Sequence, residues 1–316
     1  MSFEPLLRIS NLHIRFDLGG VVVRAIDGAS LEVRKNETLG LVGESGSGKS
    51  ILGLSVMKLL PPNAAAEGGI WFAGMSLDQL PEEEMRKLRG KEISWIPQDP
   101  ATSLNPALKV GFQIAEPMIL HASLVKARAR QKVVELLEFF DIRPAEKRVS
   151  EYPHQYSGGM KQRSLVAMGA STRPKLIIAD EPTKGVDNLR KNQVASMFRK
   201  IKHENGGLAV LLITHDLSFA RALCDRIAVM YCGKVMEITS TEMFFEAPLH
   251  PYIRALLESL PERGLKNIPG EAPGMISPPG GCRFHPRCGL AGENCRRHEP
   301  PLVAVNGAAV RCWQYA

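Results

Sequence analysis

The segment GESGSGKS, residues 43–50, sets Gly43, Gly48, Lys49 and Ser50 in the pattern G-x-x-x-x-G-K-S/T. Glycines at these places let backbone N–H groups converge on phosphate oxygens, so Ser45, Gly46 and Ser47 between them belong to the same cradle. A helix beginning at the loop adds positive partial charge. Lys49 is placed to bridge β- and γ-phosphates, and the Ser50 hydroxyl to ligate Mg²⁺. A second chemical group closes the apolar run LIIAD at Asp180, a carboxylate suited to the Mg²⁺ shell. Glu181 follows at once and could polarise an attacking water. A third group is the set Cys282, Cys288, Cys295 and Cys312, four of the chain's six cysteines.

The elements around these groups have the order that the chemistry requires. ETLGLVG reads as a buried strand leading into the phosphate loop, and SILGLSVMKLL as a helix leaving it, stopped by Pro61-Pro62. EISWIP, KLIIAD and LAVLLITHD read as further strands, with a helix near 189–204. Strand alternating with helix predicts a parallel α/β sheet. Two β-rich stretches open the chain. PEEEMRKLRG carries acids first and bases last, as the helix dipole favours. Residues from about 100 to 172 lose β-branched runs and become helical; Val133, Val134, Leu137 and Phe140 mark one apolar helix face. RIAVMYCGKVMEI reads as a β unit turning at Cys232-Gly233, and HPYIRALLESL as a helix. From Pro261 onward proline, glycine and cysteine predict an irregular tail.

Bulk properties narrow the class. A chain of 316 residues that is 44% hydrophobic can bury one large or two moderate cores. No apolar run approaches the ~18–20 residues needed to span a bilayer. The N-terminus lacks the pattern of a secretory signal, so a cytosolic chain is expected and stable disulfides are disfavoured. The net charge of +7 comes from scattered basic residues, read as a solvated surface with no nucleic-acid partner expected. For the four clustered cysteines several readings stay open. Unligated thiols are one. Structural zinc is another, with His285 or His298 as substitute ligands, although the usual C-x₂₋₄-C pair is absent. A cubane iron–sulfur cluster needs four thiolates, and Arg283, Arg287, Arg296 and Arg297 could offset its charge. Cys224 and Cys232 read as ordinary thiols.

The remaining motifs resemble those of ATP-binding cassette (ABC) proteins. Ser157-Gly158-Gly159 in YSGGMKQR resembles the signature sequence, with Met160 in place of its usual glutamine. Gln98 resembles the Q-loop glutamine, His215 the switch histidine and Asp187 the D-loop aspartate. The D-loop reads KGVD, which sets Lys184 at an expected subunit contact. Phe16 is similar to the aromatic that stacks on adenine. The resemblance implies an α/β P-loop NTPase core with an antiparallel β subdomain, over residues 1–98 and 173–245. It adds a helical signature subdomain at 99–172 and a C-terminal extension at 246–316. It implies ATP hydrolysis in head-to-tail pairs, with Glu181, His215 and Gln98 catalytic and Gln98 also on Mg²⁺.

QDPATSLNP, HPYIRALLESLP and GCRFHPRCGLAGENC further resemble ATPase subunits of dipeptide, oligopeptide and nickel importers. That resemblance implies a second, often non-identical, ATPase subunit, two membrane permeases and an external substrate-binding protein. It places the chain peripherally at the cytoplasmic face of the inner or plasma membrane. Relatives of this kind carry a 4Fe-4S cluster in the tail, which favours that reading over zinc. A soluble ABC ATPase acting on nucleic acid or ribosomes is the alternative, weakened by the single cassette and the lack of a long coiled coil.

Overall fold

The computed structural model describes residues 4–184 and 188–316. The chain divides into two compact units, one formed by residues 1–33, 39–78 and 215–316, the other by 34–38 and 79–214.

The first unit holds an antiparallel sheet in the order β2-β1-β4-β5, built from β1 (Leu7–Asp17), β2 (Val22–Val33), β4 (Ala64–Phe72) and β5 (Met75–Ser76). β1 buries Leu7 and Ile9, then Leu12 and Ile14. Strict alternation would send the second pair outward. An irregularity in register between Ile9 and Leu12, with Asn11 at φ 46°, resets the phase and returns both residues to the core.

The same unit contains, from Leu39 on, the strand before the phosphate loop, β3 (Thr38–Val42), which is buried throughout. It runs parallel to β9 (Arg226–Tyr231), and β9 turns into the antiparallel β10 (Lys234–Ser240). Cys232 and Gly233 form that turn with φ 45° and 78°, the double positive φ that matches strand twist. Helices α1 (Lys49–Val56), α9 (Leu217–Leu223), α10 (Thr241–Glu246) and α11 (Pro251–Glu258) complete its regular framework. The tail is less irregular than the sequence implies. It contains a short helix α12 (Glu293–Arg297), and β11 (Val303–Val305) pairs with β12 (Ala308–Val310), which adds to β10. The missed signal is Asn306-Gly307 between two short apolar runs, a strong hairpin pattern.

The second unit carries three parallel strands in the order β6-β7-β8: β6 (Ile93–Ile96), β7 (Leu176–Asp180) and β8 (Ala209–Thr214). Every residue of β7 and β8 is buried, as expected of strands covered on both faces. Its helices are α2 (Glu82–Leu88), α3 (Pro100–Ser103), α4 (Val110–Ala122), α5 (Lys126–Phe139), α6 (Ala145–Arg148), α7 (Gly158–Ala170) and α8 (Asn188–Glu204). α4 packs on α5 and α7. α5 buries Ala129, Val133, Val134 and Leu137, with Phe140 buried at its end.

Candidate functional site

The phosphate loop leaves β3 and enters α1. Gly43 and Gly48 adopt φ values of 154° and 104°. A β-carbon on Gly43 would lie 2.1 Å from the Met230 carbonyl oxygen, and one on Gly48 2.4 Å from that of Ala25. Both positions exclude a side chain, which is why the pattern fixes glycine there. Ser45 and Gly46 at the crest are exposed, while Ser47 is buried. Lys49 is buried, and its ammonium donates to the carbonyls of Gly43 (2.8 Å) and Glu44 (2.9 Å) and to Ser47 Oγ (3.4 Å). An arriving phosphate would offer stronger, charged acceptors to the same nitrogen. Ser50 is half-buried in the first turn of α1. Phe16 is half-buried on β1, opposite Val23 and Ala64. His215 is exposed, and the next residue, Asp216, caps α9 by accepting from the Phe219 N–H at 3.0 Å.

In the second unit, β7 ends at buried Asp180, and Glu181 is buried after it. Glu181 sits at φ 47°, an unusual conformation for a residue with a side chain. Its N–H donates to the Ile213 carbonyl at 2.8 Å, and its carboxylate accepts from Thr214 Oγ1 at 3.4 Å. A non-glycine residue held at positive φ is strained, and such strain concentrates at functional sites. Gln98 is half-buried beyond β6. Ser157 caps α7, accepting from the Met160 N–H at 3.3 Å. Ser157 and Gly158 are exposed, and Gly159 is half-buried. The motif thus presents helix N-terminal N–H groups to solvent, an arrangement that attracts anions. Asp187 lies outside the described residues.

All four clustered cysteines line one cavity of about 360 Å³. They are free thiols, with Cys282 and Cys312 buried and the other two half-buried. Burial raises the Cys282 thiol to about 11 and lifts Cys288 and Cys312 as well, the neighbouring sulfurs adding to the effect. Metal binding there would have to displace protons. Among the described residues no three or more His, Cys, Asp or Glu side chains form a group ready to hold a metal ion.

His250 lines the same cavity and caps α11. Its Nδ1 accepts from the Tyr252 N–H at 3.0 Å, which leaves the proton on Nε2. Nε2 is buried, with the Arg311 backbone carbonyl beside it. Burial pushes His250 down to about 3, so the ring is neutral. The cavity is therefore lined by four cysteines and one neutral histidine.

Sequence reasoning missed the residues that join this tail to the phosphate loop. Phe284 packs on Tyr231, Tyr252 and His250 with ring centroids 5.2–5.9 Å away. The Glu44 N–H donates to Tyr252 Oη at 3.3 Å, and Arg287 donates to both Glu44 carboxylate oxygens at 3.0 and 3.1 Å. A signal was present: an acid inside a phosphate-binding loop calls for a nearby cation.

A phosphate loop, an acidic pair ending a buried strand and a serine-capped glycine motif together define an ATP-hydrolysing cassette. The ABC transporter family model matches residues 26–184, and that of the oligopeptide/dipeptide transporter C-terminal region matches 236–295. The chain is 41% identical to the oligopeptide transport ATP-binding protein OppD of Haemophilus influenzae, covering 98% of this chain and 97% of that protein. It is also 41% identical to the dipeptide transport ATP-binding protein DppD of Bacillus subtilis, covering 98% and 95%. Among solved structures, the ATP-binding cassette MJ0796, a dimer bound to ADP and phosphate, superposes with a TM-score of 0.66 at 25% identity. It covers 74% of this chain and 98% of that one. The chain belongs to the ABC transporter ATP-binding family, in the branch with the oligopeptide/dipeptide C-terminal region. It is an ABC ATPase.

Proposed function

We propose that the chain powers uptake of peptides, or of related small solutes such as nickel or opines, through a membrane complex. Lys49 and the loop N–H groups hold the ATP phosphates, with Phe16 against the adenine. Ser50, Gln98 and Asp180 hold Mg²⁺, which neutralises charge on the phosphates. Glu181 orients and deprotonates the attacking water, and His215 holds the γ-phosphate region. Ser157, Gly158 and Gly159 close on ATP carried by a second, non-identical ATPase subunit, with Asp187 and Lys184 at that contact. Two permeases and an external binding protein complete the assembly. No helix among the described residues is long and apolar enough to cross a membrane, which supports a peripheral subunit docked on permeases. Residues 99–172 serve as the signature subdomain and 246–316 as the branch-specific extension.

The observation that carries the reading is the pairing of a complete phosphate loop with a peptide-transporter C-terminal region in one chain. Its test is Glu181→Gln in the assembled transporter. ATP should remain bound while hydrolysis and uptake stop. Normal turnover, measured with the partner ATPase site disabled, overturns it. Recovery of the native chain with ribosomes or DNA, rather than with membranes and permeases, would favour the soluble alternative.

The four-cysteine cavity takes a 4Fe-4S cluster in this proposal. Structural zinc commonly uses a C-x₂₋₄-C pair, which these four cysteines lack. The cavity has room for a centre that all four sulfurs could hold. Cys282, Cys288, Cys295 and Cys312 would be its ligands, and the cluster would order the tail.

A further inference from the structure

Glu44 occupies one of the four variable positions of the phosphate loop. A carboxylate there stands among groups meant for a polyanion, and an unmasked one would repel ATP or draw Lys49 to itself. Arg287 lies against this carboxylate. Its side chain is only 7% exposed, against 27% for Glu44. One guanidinium nitrogen donates to both Glu44 oxygens and to Tyr231 Oη at 3.2 Å. Nε donates to the Pro269 carbonyl at 2.9 Å, and the guanidinium lies 5.8 Å from the Tyr231 ring centroid. Three residues from separate parts of the chain, Glu44, Tyr231 and Pro269, thus fix one arginine, which immediately precedes Cys288. The Tyr252 hydroxyl accepts from the Glu44 N–H, and Lys49 takes the Glu44 carbonyl. The acid is held by amide, carbonyl and carboxylate alike.

We infer that Arg287 is a positioning residue of the ATP site: it masks Glu44 and turns it away from the phosphates, so the cysteine-bearing tail sets part of the ATP affinity. The inference rests on ATP binding by the loop and holds whatever fills the four-cysteine cavity.

The test is a double-mutant cycle read by equilibrium binding of MgATP to the purified full chain, with ATPase kinetics alongside. Arg287→Ala exposes the carboxylate and should raise Kd and KM about tenfold, about 1.4 kcal/mol. The value of kcat at saturating ATP should stay within about twofold. The defect should shrink in high salt, because the repulsion is electrostatic. Glu44→Gln removes the charge and should bind within about threefold of the parent. The informative variant is Arg287→Ala with Glu44→Gln, which should recover the affinity of Glu44→Gln alone. Recovery identifies charge masking, since a merely unfolded tail would not be mended by an amide in the loop. Unchanged affinity in Arg287→Ala, or a double variant as weak as Arg287→Ala, overturns the inference.

Discussion

The phosphate loop and the four-cysteine tail are both built from short runs of special residues, yet they solve opposite problems. The loop excludes side chains. Gly43 and Gly48 bring backbone so close to Met230 and Ala25 that any β-carbon would collide. In the proposed function its work falls to main-chain N–H groups and one buried lysine. The tail instead gathers side chains around a space: four cysteines and the His250 ring line a cavity of about 360 Å³. A cradle made of backbone is complete when the chain folds. A cavity lined by thiols, with burial lifting Cys282, Cys288 and Cys312, would be complete only when an occupant displaced their protons. The contrast explains why one region defines its ligand and the other merely restricts it.

The sharpest way to separate the two regions is to disable each. Lys49→Ala should weaken MgATP binding by about a hundredfold or more, about 2.7 kcal/mol, and stop turnover. Iron and sulfide content of anaerobically purified protein should not change. Cys282→Ser should do the reverse, removing iron and sulfide together while the Lys49 cradle survives. Stoichiometric zinc without iron in the parent protein would replace the proposed cluster. The comparison breaks if either substitution abolishes both properties equally.

A smaller effect should cross between the regions. Arg287 lies beside Cys288 and grips Glu44, so loosening the tail should be felt in the loop. Stripping the proposed cluster with chelator under mild oxidation is expected to lower ATP affinity severalfold, measured by equilibrium binding. The same treatment of Glu44→Gln should have little effect, because no carboxylate remains to unmask. Equal losses in both proteins would show that the tail acts on ATP by a route other than Arg287.

The loop was legible in the sequence because its chemistry is local. Fixed spacing places Gly43 and Gly48 in the loop and Lys49 and Ser50 at the start of the helix after it, and steric exclusion leaves only glycine at 43 and 48. Glu181 was legible for the same reason, as the residue after a buried strand. The four cysteines were visible, but what they surround was not. The Glu44–Arg287 pair spans 243 residues of chain, a contact that no pattern of neighbours encodes. Only the misplaced charge of Glu44 hinted at it. The tail hairpin was a different case: Asn306-Gly307 announced it locally, and the density of proline and glycine around it obscured the pattern.

The weakest expected effect concerns the other arginine tether of the tail. Arg283 donates to Asp27 on β2, which also pairs with Lys234 at 3.1 Å. Burial alone would raise the Asp27 carboxyl, but the charges and hydrogen bonds of Lys234 and Arg283 outweigh it and hold it at about 2. A carboxyl lowered in the folded state contributes stability above its unfolded value near 3.8, and loses it as pH falls from there towards 2. After allowance for solvent screening the contribution is about 1 kcal/mol. Asp27→Asn should therefore lower the thermal midpoint by about 2 °C near pH 7, and the difference from the parent should vanish as pH approaches 2. Because Arg283 neighbours Cys282 as Arg287 neighbours Cys288, the two tethers can be compared directly. Asp27→Asn should change stability and leave ATP affinity alone, whereas Arg287→Ala should change ATP affinity most. A loss of ATP affinity in Asp27→Asn matching that of Arg287→Ala would mean the tail acts on the loop as one body rather than through the single contact at Glu44.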